Sequence, residues 1–294
     1  MAAEASIGLA LGGGGARGLA HIHVLEAFDD LGLKPAAIAG SSIGAIIGAG
    51  YAFGMSGAEV RDYTLASFAS PRHIGGILWA SRPTSFAEFL ADGGFRFGQL
   101  NAERLLTALV PHMATVEFAE LVIPLSVTAT DFYARRCLAI ETGPLVSALA
   151  ASAALPTVFR PVRREGAVLI DGGIYEPLPF EWLRDKAAGV VAVDVNGGPE
   201  GDPRRLPSPV EAMVGASQLM QQSIIETKLR LAPPDLLFRP PVSRFGVLDF
   251  LKARDILDET VSLREEAKRG LSGLLEAKAG AGRADLAGAI SDAL

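Results

Sequence analysis

The 294-residue chain has a single cysteine, Cys137, so no intrachain disulfide can form and a reducing compartment is the expectation. Cys137 itself reads as a small core residue of a strand. Basic residues are in deficit, 27 Lys and Arg against 33 Asp and Glu, for a net charge of −6. No basic stripe is available to neutralise phosphates, which excludes nucleic acid as a partner and leaves an anionic membrane surface little to attract. No group of residues has metal-ligand spacing, and the four histidines, His21, His23, His73 and His112, have no motif around them; neither a metal nor another cofactor is expected. Long apolar runs are missing too. The charge-free stretch 35–56 approaches spanning length, but it opens on a proline and is broken by glycines and serines. It reads as a buried strand followed by a buried helix. The first six residues carry no basic cluster, and the apolar run after them is cut by Gly12, Gly13, Gly14 and Gly15, unlike a signal peptide. The expected location is cytoplasmic, with transient membrane-surface contact at most.

What is present is apolar mass. Hydrophobic residues make up 49% of the chain and charged ones 20%, the balance of a globular protein with a large core. One domain over 1–294 is the expectation. Short branched or apolar runs at 7–11, 36–39, 123–130, 136–141, 158–163, 167–170 and 190–193 alternate with helical patterns at 16–31, 45–53, 57–67, 101–109 and 144–154. Such alternation implies an α/β fold with a mostly parallel central sheet and helices on both faces, where chemistry gathers at the carboxyl ends of strands.

The chain is organised around Gly40-Ser41-Ser42-Ile43-Gly44. Between a strand and a helix this is a nucleophile elbow: the serine stands on a strained turn, and the positions two before and two after must be tiny. Gly40 and Gly44 fill those positions, which centres the elbow on Ser42 and not on Ser41. Upstream, Gly13, Gly15 and Gly18 match a dinucleotide loop, whose N–H groups and helix start would face a pyrophosphate. The same N–H groups serve the oxyanion of an acyl-transfer intermediate equally well. A dinucleotide site needs a ribose carboxylate at the end of the second strand, and that slot holds Ser42. A Walker loop is excluded because Leu19-Ala20 follows Gly18 where Lys-Ser or Lys-Thr is required. Three carboxylates fall at strand ends, Asp131, Asp171 and Asp194, and any of them could take the serine's proton.

In chain order, Gly13-Gly14-Gly15-Ala16-Arg17-Gly18, Gly40-Ser41-Ser42-Ile43-Gly44 and Asp171-Gly172-Gly173 resemble the patatin-like phospholipase family, serine acyl hydrolases with a Ser-Asp dyad and no histidine. Ala151-Ser152-Ala153-Ala154-Leu155-Pro156, with Phe159 and Pro161, extends the resemblance, which covers about 7–195. It implies a three-layer α/β/α fold, Ser42 as nucleophile, Asp171 as general base, and an oxyanion hole of backbone N–H groups at Gly13, Gly14, Gly15 and Ala16. Arg17, Gly18, Gly40, Gly44, Gly172 and Gly173 would support the motifs. It also implies acyl esters of phospholipids or other lipids as substrates and no metal. A nucleotide-binding protein, or a lipid-binding regulatory module with little turnover, is the alternative.

Three further expectations concern the remainder. Residues 68–97, rich in aromatics among glycines and prolines, read as a cap or lid or as ordinary core packing. Residues 209–231 form a long helix after a glycine- and proline-rich loop, and 249–279 one or two amphipathic helices. Residues 280–294 fray.

Overall fold

The computed structural model describes residues 6–81, 100–200, 202 and 204–291. Among the described residues, eight strands form one mixed sheet: β1 (Ile7–Leu11), β2 (Ala37–Ser41), β3 (Leu125–Asp131), β4 (Arg136–Ile140), β5 (Val162–Arg164), β6 (Ala167–Asp171), β7 (Gly189–Val193) and β8 (Leu236–Phe238). Their order is β5-β6-β3-β2-β1-β7-β8, with β4 also paired to β3. The run from β3 to β8 is parallel, whereas β4, β5 and β6 are antiparallel to their neighbours. Every residue of β1, β2, β3 and β7 is buried, as parallel strands covered on both faces must be.

Side-chain size divides the two faces. Leu9, Leu11, Ile38, Val191 and Val193 turn to a face covered by α1 (His21–Asp30), α2 (Ile43–Ala52), α6 (Leu145–Ser152) and the C-terminal helices α8 (Ala253–Thr260) and α9 (Ser262–Ser291). Ala10, Ala37, Ala39 and Ala192 turn to the other, where their small size admits the 3-10 turn Phe180–Leu183 and Ile225 of α7 (Pro209–Leu231). The sheet is thus sandwiched between helical layers. Because Ile256, Leu271 and Leu274 join the same core as Ile7 and Leu9, the C-terminal helices pack on the sheet that carries the motifs.

Several local expectations are met with shifted edges. The helix expected over 16–31 starts as a 3-10 turn, Gly15–Ala20, before becoming α1. Helix α3 (Gly57–Phe68) is capped by Ser56 with Glu59 reaching back, and α5 (Ala102–Leu109) by Asn101. The arm expected to start at Val158 starts at Val162, because Val158 and Phe159 are engaged with Leu100. Two elements are new: α4 (Pro71–Ala80) and the three-residue β8. The tail expected to fray from 280 continues as helix to Ser291. Of the lid expected over 68–97, α4 belongs to the described residues, and 82–99 lies outside them.

Candidate active site

Strand register brings the two motif ends together. β4 occupies one edge of β3 over Val127 to Asp131. The opposite edge is shared end to end: β2 pairs with its first part, Ser41 lying opposite Thr128, and β6 runs in from the other direction with Asp171 opposite Ala129. The last residues of β2 and β6 therefore face adjacent positions of β3. Thr128 Oγ1 donates to the Gly40 carbonyl at 3.3 Å and Thr130 Oγ1 to the Asp171 carbonyl at 2.9 Å, fixing both strand ends.

Between β2 and α2 the chain reverses at Ser42, which has φ 52 and ψ −121. A positive φ on a residue with a Cβ is strained, and the surroundings hold it. The turn is closed by glycines: a Cβ on Gly40 would stand 2.5 Å from Ala45 Cα, and one on Gly44 2.2 Å from the Leu11 carbonyl oxygen. The Ser42 N–H donates to Ser152 Oγ at 2.8 Å, and Ser152, at the end of α6, is completely buried. Ser42 Oγ donates to Asp171 Oδ2 at 2.7 Å.

Asp171 has its other oxygen, Oδ1, in a 2.7 Å bond from the Gly173 N–H. Gly172 makes that tight return possible, since a Cβ there would lie 2.3 Å from the Thr128 carbonyl oxygen. Burial pushes the Asp171 pKa up from an ordinary 3.8 to about 6, against the opposing hydrogen bonds from Ser42 and Gly173. The two rival carboxylates are engaged elsewhere. Asp131 Oδ1 accepts from the Ala134 N–H in the turn after β3, and Asp194 is held by the Asn196 N–H and by Arg239 Nε at 3.0 Å.

The glycine turn lies beside the elbow, a Cβ on Gly13 falling 3.6 Å from Ser42 Cβ. Its N–H groups divide into two sets. Gly13 N–H donates to the Pro177 carbonyl and Ala16 N–H to the Val247 carbonyl, both at 2.9 Å. Gly14 and Gly15, at the open start of the 3-10 turn, make no such backbone bond to another segment among the described residues. Both must be glycine: a Cβ would lie 2.7 Å from the Val195 carbonyl oxygen at Gly14 and 2.1 Å from that of Val247 at Gly15, where φ is +60. A Cβ on Gly18 would lie 2.3 Å from Ile43 Cγ2, so this glycine lets the turn close on the elbow helix.

Arg17 is not solvated. Its guanidinium is buried, Nε donating to the Phe245 carbonyl at 2.5 Å and Nη2 to that of Ser243 at 3.3 Å, which ties the turn to the segment before α8. His21 is buried with Nε2 2.8 Å from the Gly12 carbonyl oxygen, and burial drives its pKa down to about 4, leaving it neutral. His23 bonds Glu26 and the Leu257 carbonyl. Neither histidine is bonded to Ser42 or Asp171.

Ser42 and Asp171 line a cavity of about 690 Å³ together with many apolar side chains, among them Ile46, Met55, Val60, Leu106 and Met113. This volume suits one small-molecule-sized ligand. Asn196, Ser217, Gln218 and Gln221 line it as well.

The patatin-like phospholipase family model matches residues 9–183, a span holding the glycine turn, the elbow and Asp171. The chain belongs to the patatin-like phospholipase family. An uncharacterized NTE family protein of Mycobacterium tuberculosis is 36% identical over 201 residues, covering 67% of this chain and 51% of that protein. Lysophospholipase NTE1 of Coccidioides immitis is 26% identical over 275 residues, 85% of this chain and 17% of that protein. The chain thus spans about half the length, or less, of these curated relatives. Among solved structures, VipD from Legionella pneumophila aligns with a TM-score of 0.44 at 14% identity, over 90% of this chain and 67% of that one. Human GIVD cytosolic phospholipase A2 aligns at 0.41 and 12% identity, over 95% and 60%. Among the described residues of this patatin-like chain, no helix is long and apolar enough to cross a membrane.

Two parts of the site depend on contacts between positions distant in sequence. Ser152 belongs to the Ala151–Pro156 motif segment, but its bond to the Ser42 N–H depends on how α6 packs. Gln218 and Gln221 fall within the helix expected over 209–231, and only the placement of that helix brings them to the cavity.

Proposed function

We propose that the chain is a serine hydrolase that cleaves lipid acyl esters through an acyl-Ser42 intermediate. The observation that carries this reading is the 2.7 Å hydrogen bond from Ser42 Oγ to a buried Asp171, both on the lining of a largely apolar cavity. Ser42 Oγ attacks the ester carbonyl carbon while its proton passes to Asp171 Oδ2, and the carbonyl electron pair moves onto oxygen. The N–H groups of Gly14 and Gly15 receive that oxyanion, which narrows the hole from the four residues of the motif to the two without another backbone acceptor. Collapse expels the alcohol, which takes the proton back from Asp171 and leaves the acyl group on Ser42. Water then attacks the acyl carbon, giving a proton to Asp171; collapse releases the carboxylic acid, and the proton returns to Ser42.

A carboxylate with a pKa near 6 suits this work, being mostly ionised at neutral pH yet more basic than a solvated aspartate. The acyl chain occupies the apolar side of the cavity. In a hydrolysis assay with para-nitrophenyl octanoate, Ser42→Ala should lose activity by a factor on the order of 10⁶. A variant within tenfold of the parent would contradict the nucleophile assignment.

A further inference from the structure

The cavity runs along a helix. Ser42 stands at the start of α2, and Ile43, Ile46, Ile47 and Gly50 all line the cavity, a spacing of three and four residues that marks one continuous face. At 1.5 Å per residue, Gly50 stands about 12 Å beyond Ser42. Val60, Thr64 and Phe68 of α3 and Ala102, Leu106 and Leu109 of α5 line the same space with the same periodicity. It is therefore flanked lengthwise by α2, α3 and α5, with Ser42 at the end where α2 begins.

The glycines of α2 are there for different reasons. Gly44 lets the helix approach β1 at the elbow, and a Cβ on Gly48 would lie 3.0 Å from Ile38 Cγ2 of the sheet. Gly50 is required by neither its backbone nor the sheet. Its φ is not positive, and the nearest atoms to a Cβ there, outside its own helix, would be Val60 Cγ2 at 3.3 Å, Met55 Sδ at 3.7 Å and Met113 Cε at 4.0 Å. All three side chains line the cavity. A glycine inside a helix costs about 1 kcal/mol relative to alanine. What it supplies here is open space among those three side chains. Tyr63 and His112 also line the cavity, their ring centroids 5.0 Å apart, and the Tyr63 hydroxyl is satisfied by the Leu109 carbonyl at 2.5 Å.

Building on the serine-hydrolase reading, which bonds the acyl carbon to Ser42 Oγ, we propose that Gly50 sets the longest acyl chain the site accepts. The chain runs from Ser42 along α2, and its far end enters the gap that Gly50 leaves among Met55, Val60 and Met113. An extended chain advances about 1.3 Å per carbon, so about ten carbons cover the distance to Gly50. A butyryl group ends well short of the glycine, and a lauroyl group passes it.

The test measures kcat/KM of the full chain on para-nitrophenyl butyrate and para-nitrophenyl laurate, each below its aggregation concentration. The parent is compared with Gly50→Val, Gly50→Ala, and Gly50→Val combined with Val60→Ala. Gly50→Val should lower the laurate-to-butyrate ratio at least about tenfold while butyrate turnover stays within about twofold of the parent's. Adding Val60→Ala removes the atom closest to the new side chain and should restore most of the ratio. A merely structural defect would depress both esters together, and a second, cavity-forming substitution would deepen it. An unchanged ratio in a folded Gly50→Val, or an equal loss on both esters, overturns the proposal. So does a double variant no better than Gly50→Val, or a parent that cleaves butyrate and not laurate. If Gly50→Val does not fold, Gly50→Ala decides, since its Cβ needs only a small shift of Val60. It should lower the ratio about threefold, and no change overturns the proposal. In each of these failures, butyrate hydrolysis by the parent leaves the serine-hydrolase reading standing. No hydrolysis of either ester, with no fluorophosphonate adduct on Ser42, removes both.

Discussion

Asp171 is where stability and chemistry oppose each other most clearly. Its folded pKa of about 6 lies above the ordinary 3.8, so the folded state binds the proton more tightly than the unfolded one. The contribution to stability is present in full below pH 3.8 and is lost as pH rises through 6. Near pH 8 the ionised carboxylate costs on the order of 3 kcal/mol. Asp171→Asn removes that charge and still offers an oxygen to the Gly173 N–H. It should abolish esterolysis while raising stability at pH 8 by about 1–3 kcal/mol in urea unfolding; a less stable variant would show that the charge is compensated by other groups. The parent's kcat/KM should rise through an apparent pKa near 6 and then level off. Ser152 acts one step further back. Ser152→Ala leaves the Ser42 N–H without its partner at a strained φ, at a cost of roughly 1–3 kcal/mol. It should lower kcat about tenfold or more with KM unchanged; an unchanged kcat would mean that the elbow keeps its shape without Ser152.

At the scale of elements, the site exists because β2 and β6 end against each other on one edge of β3, with the glycines letting strand, turn and helix approach. Gly44→Ala puts a Cβ 2.2 Å from the Leu11 carbonyl oxygen and forces α2 away from β1. A stability loss of at least 1–3 kcal/mol follows, together with loss of activity; thermal unfolding of a variant as stable as the parent would contradict the packing described. The elbow, the glycine turn and the strand endings were legible in the sequence, because each depends on residues a few positions apart. The choice of Asp171 among three strand-end aspartates was not legible from the residues alone. It depends on a register that sets Asp171 opposite Ala129 and on Arg239 reaching Asp194, contacts between positions distant in sequence. Helix α4 was hidden by its glycines, and β8 by its length of three residues. How Arg17 supports the glycine turn was not legible, because its acceptors, the carbonyls of Ser243 and Phe245, lie more than two hundred residues away.

Across the whole molecule, the C-terminal helices do more than cover the sheet. Arg17, His23 and Arg264 connect the first thirty residues to Phe245, Leu257 and back to Asp30, so the motif-bearing half and the C-terminal half brace one another. Two buried groups then set opposing pH responses. His21, with a folded pKa of about 4 below the ordinary 6.5, contributes stability that is present above 6.5 and lost as pH falls toward 4. Asp171 gains over nearly the same window as pH falls. In Asp171→Asn the His21 response stands without that counterweight, so the variant's stability should fall more steeply than the parent's between pH 6.5 and 4. Equal slopes would contradict the burial of one of the two. Cys137 adds no reactivity to this picture, since burial pushes its thiol up to about 12.

The central claim is that Asp171 activates Ser42, and intact mass after treatment with a lipid-like fluorophosphonate tests it most directly. The account predicts a single adduct on the parent, none on Ser42→Ala, and strongly slowed labelling of Asp171→Asn. An unlabelled but folded parent, or an adduct that persists in Ser42→Ala, would contradict it.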